Sequence, residues 1–486
     1  MKRFVFLSII LIVFVFNSSL FASGVALTGV GARATALGGN YRAVSSDWSA
    51  MYWNPAGLTQ ISGLHFGISS EIITPAAKYM FSQHSPAFGV FKGGELENEP
   101  KSFFMPAAGI AFGMDDVVLG LAVYAPFGLG AKWDVMDTKD YNAAYPEFEY
   151  EDDLKVIDVH PTIAYKVNDK LSLGLGVSIT YADIIIRKPT TTQNALVTVP
   201  ALKAAADANG LSSLTTNLHS HVLTETELSG EGVGFGANVG LKYDFSEDWS
   251  VGLSGSWYND ISLDGKISAV TYGATIPQQA FAGLNTFLTG MVAAQQLTEA
   301  QKTSLLGAYG GQKIVLNDRE KGDAALPLPL VLGAGVAYKG IDKLLVTADV
   351  SWSQWSAWDV IEIELEDSKS ELVQNWEDGI RLGLGLEYAI IDPLKFRLGY
   401  YTEPSAIPDE TLNITIPDPS RRHAIAIGAS YNLGLFVLDF NYENILIGDR
   451  EVKDWVYNPA ANGYENMAGT YKMKVNNFMF GLGYKF

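Results

Sequence analysis

The sequence predicts an all-β protein: a 14-stranded antiparallel transmembrane β-barrel, with a small N-terminal hatch plugging its lumen and short helices in its extracellular loops. Three observations predict it. Apolar residues alternate with small and polar ones over segments of about ten residues or more, enough to cross a bilayer at a tilt. The connections between these segments alternate between very short and very long. The chain ends on an alternating apolar strand whose last residue is aromatic, Phe486.

Composition narrows the class first. The 486 residues are 48% hydrophobic, 12% aromatic and only 18% charged. The charged share lies below the ~25% of ordinary soluble domains, and the apolar share is too high for a disordered chain. The formal charge is −19, without a basic block. Nucleic-acid binding is therefore excluded, because neutralising phosphates needs clustered Lys and Arg. The absence of Cys excludes disulfides, thiolate metal sites and Cys nucleophiles.

Residues 1–22 read as an export signal. Lys2 and Arg3 precede an apolar run from Phe4 to Phe16, and small residues Ala22-Ser23-Gly24 follow. The run is short for a span of ~20 residues. Cleavage after Ala22 would leave a mature charge of −21, since the signal carries two cations and no acid. No later segment reads as a membrane-spanning helix.

Residues 23–60 do not alternate. They are rich in Gly and Ala and contain Asn54-Pro55-Ala56-Gly57. Pro55 cannot sit in a central strand, and the four residues read as a turn. This segment is the expected hatch.

Residues 61–486 are the expected barrel. Leu171, Leu173, Leu175, Val177, Ile179 and Tyr181 share one face, with Ser172, Gly174, Gly176, Ser178 and Thr180 on the other. Val233–Tyr243, Ile380–Tyr388 and Phe436–Tyr442 repeat the pattern. Aromatics near strand ends, among them Trp249, Trp257, Trp352, Trp355 and Tyr388, suggest interfacial girdles. Tight turns fall at Asp115-Asp116, Asn168-Asp169, Ser246–Asp248, Gly340–Asp342, Asp392-Pro393 and near Leu433-Gly434. Long loops fall near 75–100, 128–152, 183–228, 267–323, 359–375, 402–420 and 448–472. Six turns and seven loops require 14 strands, and closure leaves no edge for lipid to satisfy. The strand Phe478, Phe480, Leu482, Tyr484, Phe486 resembles the signal read by the barrel assembly machinery, a partner this reading implies.

In this order and strand context, a set of short motifs resembles the FadL/TodX family of outer-membrane transporters for long-chain fatty acids and other hydrophobic compounds. They are the Gly/Ala-rich start leading to Asn54-Pro55-Ala56-Gly57, Tyr124-Ala125-Pro126-Phe127-Gly128, Leu171–Gly176, Trp352…Trp355, Asn375–Asp378, Arg397–Tyr400 and Ile416-Pro417-Asp418…Arg421-Arg422-His423. The resemblance spans essentially the whole mature chain. It implies an outer-membrane location of the Gram-negative type, no cofactor and no enzymatic activity. It also implies capture of a hydrophobic molecule at the outer loops and sideways release into the membrane. Asn54, Pro55 and Ala56 match a hatch motif that meets an inward kink in the third strand. That strand is expected at about Val117–Tyr124, with Gly120 as its weak point. Some relatives serve secretion systems, so a binding or shuttle protein carrying protein cargo is the alternative reading.

The loops support an oily ligand on their own. No charge occurs between Lys266 and Glu299, where Phe281, Leu284 and Leu288 fall at helical spacing. They are candidate ligand contacts, either as a landing groove or as a helix packed on other loops. Residues 199–214 form a second expected helix. A guest of roughly 14 methylenes loses about 11 kcal/mol on entering water, at ~0.8 kcal/mol each, so successive apolar sites matter more than a wide pore. Arg381, Arg397 and Lys395 face inward by register, and Arg187 lies near the loops. They would either hold a carboxylate head group or pair with Asp349, Glu387, Asp439 and hatch residues. The ligand classes left open are fatty acid, alkane, aromatic hydrocarbon and terpenoid. Acidic residues at the rim suit divalent cations beside lipopolysaccharide and outer-membrane lipid. Gly29-Val30-Gly31-Ala32-Arg33-Ala34 imitates a dinucleotide fingerprint but lacks a preceding strand. The six His are scattered; His219 and His221 form a loop pair, a weak candidate for a metal site, and no Ser-His-Asp order is anchored by a nucleophile elbow.

Overall fold

The computed structural model describes residues 24–83, 90–366, 369–416, 418–458 and 463–485. The export signal expected at 1–22, Ser23 of the expected hatch, Pro417 and the terminal Phe486 lie outside the described residues. The described residues form fourteen antiparallel barrel strands. They are β1 Gly63–Phe81, β2 Phe103–Met114, β3 Val117–Trp133, β4 Tyr150–Lys166, β5 Leu171–Gln193 and β6 His221–Asp244. Next come β7 Trp249–Tyr258 continued by Ile261–Tyr272, β8 Lys313–Leu326 continued by Val331–Ile341, β9 Leu344–Ser353 continued by Val360–Leu365, and β10 Lys369–Val373 continued by Gly379–Ile391. Last are β11 Leu394–Glu403, β12 Arg422–Asn432, β13 Phe436–Val452 and β14 Gly469–Lys485. Each pairs with its sequence neighbour, and β14 pairs with β1 to close the wall.

The six short turns stand where the sequence places them. Asp115 (φ 47°) and Lys343 (φ 61°) carry the left-handed residue of two of them. Beyond the membrane, strands run further than the expected loop borders: β5 and β6 stay paired up to Gln193 and His221. Among the described residues, no helix is long and apolar enough to cross a membrane.

Strand alternation sorts the chemistry. Leu173, Leu175, Val177, Ile179 and Tyr181 of β5 are all exposed on the outer face. At the short-turn end an aromatic girdle includes Trp249 against Tyr338 (ring centroids 4.6 Å) and Phe436 against Tyr484 (5.1 Å). Such rings suit the headgroup level, where one edge is apolar and the other wet. Trp355 does not join a girdle. It is buried inside, because the break between the two halves of β9 turns it onto Gly24.

Residues 24–60 fill the interior with three short helical pieces, Ala32–Ala36, Ala50–Trp53 and Pro55–Gln60. Inward glycines make the room. The Trp48 indole occupies the space a side chain would need at both Gly67 of β1 and Gly109 of β2. Met51 lies over Gly120 of β3, and backbone at Gly38 lies against Gly399 of β11. At the long-loop end, helices Pro200–Ala208, Gln278–Ala293 and Glu299–Gly307 share one apolar core through Leu202, Leu284, Leu288 and Leu305.

Candidate ligand path

The wall has a gap. β2 pairs with β3 only from Met114↔Val117 to Ala108↔Val123. Past that point Phe103–Ala107 keep β1 as a partner but not β3. β3 bulges between Tyr124 and Phe127, around Ala125-Pro126, then rejoins β4. Proline cannot donate to a ladder, and an extra residue bends the strand. Pro106 sits on the facing edge of β2, where a missing N–H is tolerated. The gap is roofed by the preceding loop: Glu99 N donates to Lys132 O (2.9 Å), and Asn98 N donates to Ala77 O (3.1 Å).

The kink differs in place from the sequence expectation. Gly120 lies in an unbroken part of the ladder, paired with Ala111 and Thr162; it is small because Met51 and Leu58 press on it. The bend falls later because Pro126, not Gly120, removes the donor.

Nor does the Asn54-Pro55-Ala56 motif meet the kink. It stands on β5 and β6: a Cβ at Gly174 would strike the Pro55 backbone, and one at Gly240 would strike Asn54 Oδ1. Fully buried Asn54 donates from Nδ2 to Arg42 O (2.8 Å) and Leu241 O (3.1 Å), and its Oδ1 accepts from Ala56 N (3.2 Å). It thereby caps the turn Pro55–Gln60, with Gly57 inside it. The residues that do meet the kink begin the described chain. Leu27 N donates to Pro126 O (3.1 Å), and Gly128 N donates to Val25 O (3.0 Å). Inward bending frees those β3 groups from β2, and Val25–Leu27 satisfy them instead.

Two interior cavities flank this segment. One, of about 130 Å³, lies behind the gap and is lined by Ile73, Phe103, Met105, Gly130 and Leu154. The other, of about 90 Å³, lies in the lumen and is lined by Tyr52, Trp53, Phe127, Tyr258, Trp355 and Tyr401 together with arginines. Ala26, Leu27 and Thr28 line both, so this short strip is the partition. On the outer face an apolar groove of about 870 Å³ includes Phe104, Pro106 and Val123. Phe103 and Met105 face the inner cavity, while Phe104 and Pro106 face the outer groove. One unpaired strand edge therefore separates them.

The inward arginines are all engaged. Arg381 donates to Gly38 O (2.9 Å), lies 3.8 Å from Glu403 and stacks on the Tyr401 ring (3.5 Å to the centroid). Arg397 is buried between Glu387 (2.7 Å) and Asp439 (3.0 Å), at the short-turn end and away from the lumen cavity. Lys395 joins Glu387 (3.0 Å), and Arg187 is held by Glu151, Glu225 and Glu227. In the loop helix Gln278–Ala293, Leu284 and Leu288 are fully buried and Phe281 half-buried. These residues pack the loop core, so the helix turns its polar and small residues outward.

Asp158, His160 and Ser178 meet in the wall, all buried. Both Asp158 Oδ2 (3.2 Å) and Ser178 Oγ (3.1 Å) approach the same nitrogen, His160 Nδ1. A proton relay needs them on opposite nitrogens, so this is a structural cluster. Among the described residues no group of three or more His, Asp or Glu is placed to hold a metal ion.

Sequence reasoning passed over Phe103, Gly130 and the strip Val25–Thr28. The signal available was Pro126 within an otherwise alternating strand, matched by Pro106 on the facing one.

Comparisons with known proteins agree with the geometry. A family model described as outer membrane protein transport protein (OMPP1/FadL/TodX) matches residues 13–486. Outer membrane protein P1 of Haemophilus influenzae is 24% identical over 86% of this chain and 86% of its own. A Pseudomonas aeruginosa FadL homologue of solved structure superposes with a TM-score of 0.72 at 17% identity, covering 96% of this chain and 100% of that one. The Pseudomonas putida toluene transporter TodX gives 0.64 at 16% identity, covering 95% and 99%. At these identities the two structures establish the fold.

Proposed function

The chain belongs to the outer membrane protein transport family (OMPP1/FadL/TodX) and is an outer-membrane transporter of the hydrophobic-compound type; on that premise we propose that its guest leaves sideways, through the gap between β2 and β3. The observation that carries this reading is that neighbouring residues link three spaces: Ala26–Thr28 line both interior cavities, and alternate residues of the unpaired β2 edge line the cavity behind the gap and the outer groove. The lumen cavity, the cavity behind the gap and the outer groove follow one another. An oily guest moving along them never meets bulk water, which would cost ~0.8 kcal/mol per methylene. No bond is made or broken.

Residues 23–60 act as the hatch in this reading. Asn54 ties it to β6 through Leu241 O, while Val25–Thr28 form its movable edge. That edge holds the kink by two backbone hydrogen bonds, a modest barrier of about 1 kcal/mol each. Shifting it joins the lumen to the gap. Phe103 covers the gap from its inner side.

The chain has no Cys, so F103C introduces a single thiol. Uptake of a hydrophobic probe into proteoliposomes is measured before and after labelling with a bulky apolar maleimide. Labelling is expected to stop uptake. Equal rates at full labelling would show that the guest leaves elsewhere.

A further inference from the structure

The lumen cavity is lined by three arginines, Arg42, Arg381 and Arg422, which at first sight suits an acid. Each is already matched. Arg42 Nη1 lies 3.2 Å from Asp349 Oδ2, and its Nε donates to Ser254 (3.0 Å). Arg422 Nε lies 3.0 Å from Asp418, and Arg381 faces Glu403 at 3.8 Å. The Arg381 fork is further occupied by Gly38 O, and its plane is covered by Tyr401. Three cations thus face three carboxylates.

Two more buried carboxylates stand beside them without an ion-pair partner within 4.0 Å among the described residues. Glu71 accepts from Thr28 Oγ1 (2.7 Å), and Thr28 belongs to the partition between the cavities. Glu443 accepts from Asn477 Nδ2 (3.0 Å), and Asn477 lines the cavity behind the gap. The Oδ1 of Asn477 is buried and unpartnered. Lys155, which lines the cavity behind the gap, is likewise held by Asp153 (2.9 Å), so among the described residues the cations lining the path are all matched. A guest carboxylate would have to displace an existing partner or stay unpaired at low dielectric, and an unpaired buried charge is strongly disfavoured. Among the rest of the lining, which includes four serines, stand six aromatic rings, which give an uncharged guest contact area and edge-to-face partners.

We infer that the transported molecule is uncharged, a hydrocarbon or a neutral ester rather than the anion of a fatty acid. This rests on the transport reading above and selects within it.

The test uses refolded full-length protein in detergent at pH 8, with its tryptophan emission as the signal, since Trp53 and Trp355 line the cavity. Methyl palmitate and palmitate are titrated as a pair of equal chain length. The ester is expected to bind at least tenfold more tightly. Palmitate binding as tightly as the ester, or more so, overturns the inference and leaves transport standing. Saturable binding of neither sinks the transport reading and this inference with it. E403Q releases Arg381 and is expected to raise palmitate affinity about tenfold, with the ester unchanged. D418N does the same for Arg422 and serves if E403Q fails to fold. Unchanged palmitate affinity in a folded variant overturns the argument from matched charges.

Discussion

Phe103 and Gly130 meet across the gap between β2 and β3: a Cβ added at Gly130 would lie 2.4 Å from the Phe103 ring. The ring can cover the gap only because residue 130 has no side chain. Lys101 holds it from above, with Nζ 4.8 Å from the ring centroid and 3.5 Å from Asp153 on β4. F103A removes the cover, and uptake of a neutral hydrophobic probe is expected to rise several-fold. Half-buried, the ring contributes about 1–2 kcal/mol to stability, less than a full core Phe. In F103A/G130F the ring returns from the other strand, and uptake is expected to fall back to the wild-type rate. A double mutant as fast as F103A would show that the ring does not limit passage.

Asn54 anchors the inner segment by three hydrogen bonds. N54A leaves two carbonyls and one N–H without that partner inside the barrel. The cost is about 3 kcal/mol or more in total, given ~1–3 kcal/mol for each of the three unsatisfied buried groups. Hydrogen exchange reads the loss locally. Amides of residues 40–60 are expected to exchange faster, with the β5–β6 ladder unchanged. Uniform loss of protection would instead mark Asn54 as a support of the whole barrel.

The barrel was legible because its period is forced. Each strand touches lipid on one face and small residues on the other, so Leu173 to Tyr181 carry the answer without context. Turns such as Asp115-Asp116 are local chemistry and were equally plain. The path was less legible because it depends on residues far apart in sequence. Nothing local in Gly130 says that Phe103 covers it. Nothing in Val25–Leu27 says that they replace β2 as the partner of Pro126 and Gly128. Asn54-Pro55-Ala56 stands out as a motif, yet its neighbours Gly174 and Gly240 are set by how the segment coils in the lumen. Inward register correctly turned Arg381 and Arg397 into the barrel. Which carboxylates would neutralise them depended on pairing across strands.

Arg397 supports a second prediction about stability. It is 2% exposed and bridges Glu387 to Asp439, while Arg33 of the inner segment reaches the same Glu387 (3.1 Å). R397M leaves the half-buried Asp439 beside no other cation at ion-pair distance among the described residues. The expected loss is about 3–5 kcal/mol, as for other broken buried pairs. Adding D439N removes the orphaned charge and is expected to recover most of that loss. Thermal unfolding in detergent measures both, and a double mutant no better than R397M would locate the cost in packing rather than charge.

Glu149, in the loop before β4, makes stability at the mouth depend on pH. It is fully buried and accepts from Val135 N (2.6 Å), Met136 N (3.4 Å) and Thr138 Oγ1 (3.0 Å). Burial pushes its carboxyl up to about 7 from an ordinary 4.5, against the downward pull of the Val135 amide. The folded loop therefore binds this proton more tightly than the unfolded loop does. Its stability is greatest below about 4.5, falls as pH rises towards about 7, and is flat above that. The full swing is on the order of 3 kcal/mol at 1.36 kcal/mol per unit. E149Q keeps an acceptor for the Val135 amide and carries no charge. Hydrogen exchange of residues 134–149, corrected for the intrinsic pH effect, is expected to lose its slope between pH 5 and pH 8 in that variant, with the loop better protected than wild type at pH 8. A slope that survives in E149Q would place the titrating group elsewhere, and protection that rises with pH in the wild type would reverse the sign argued for the buried carboxyl.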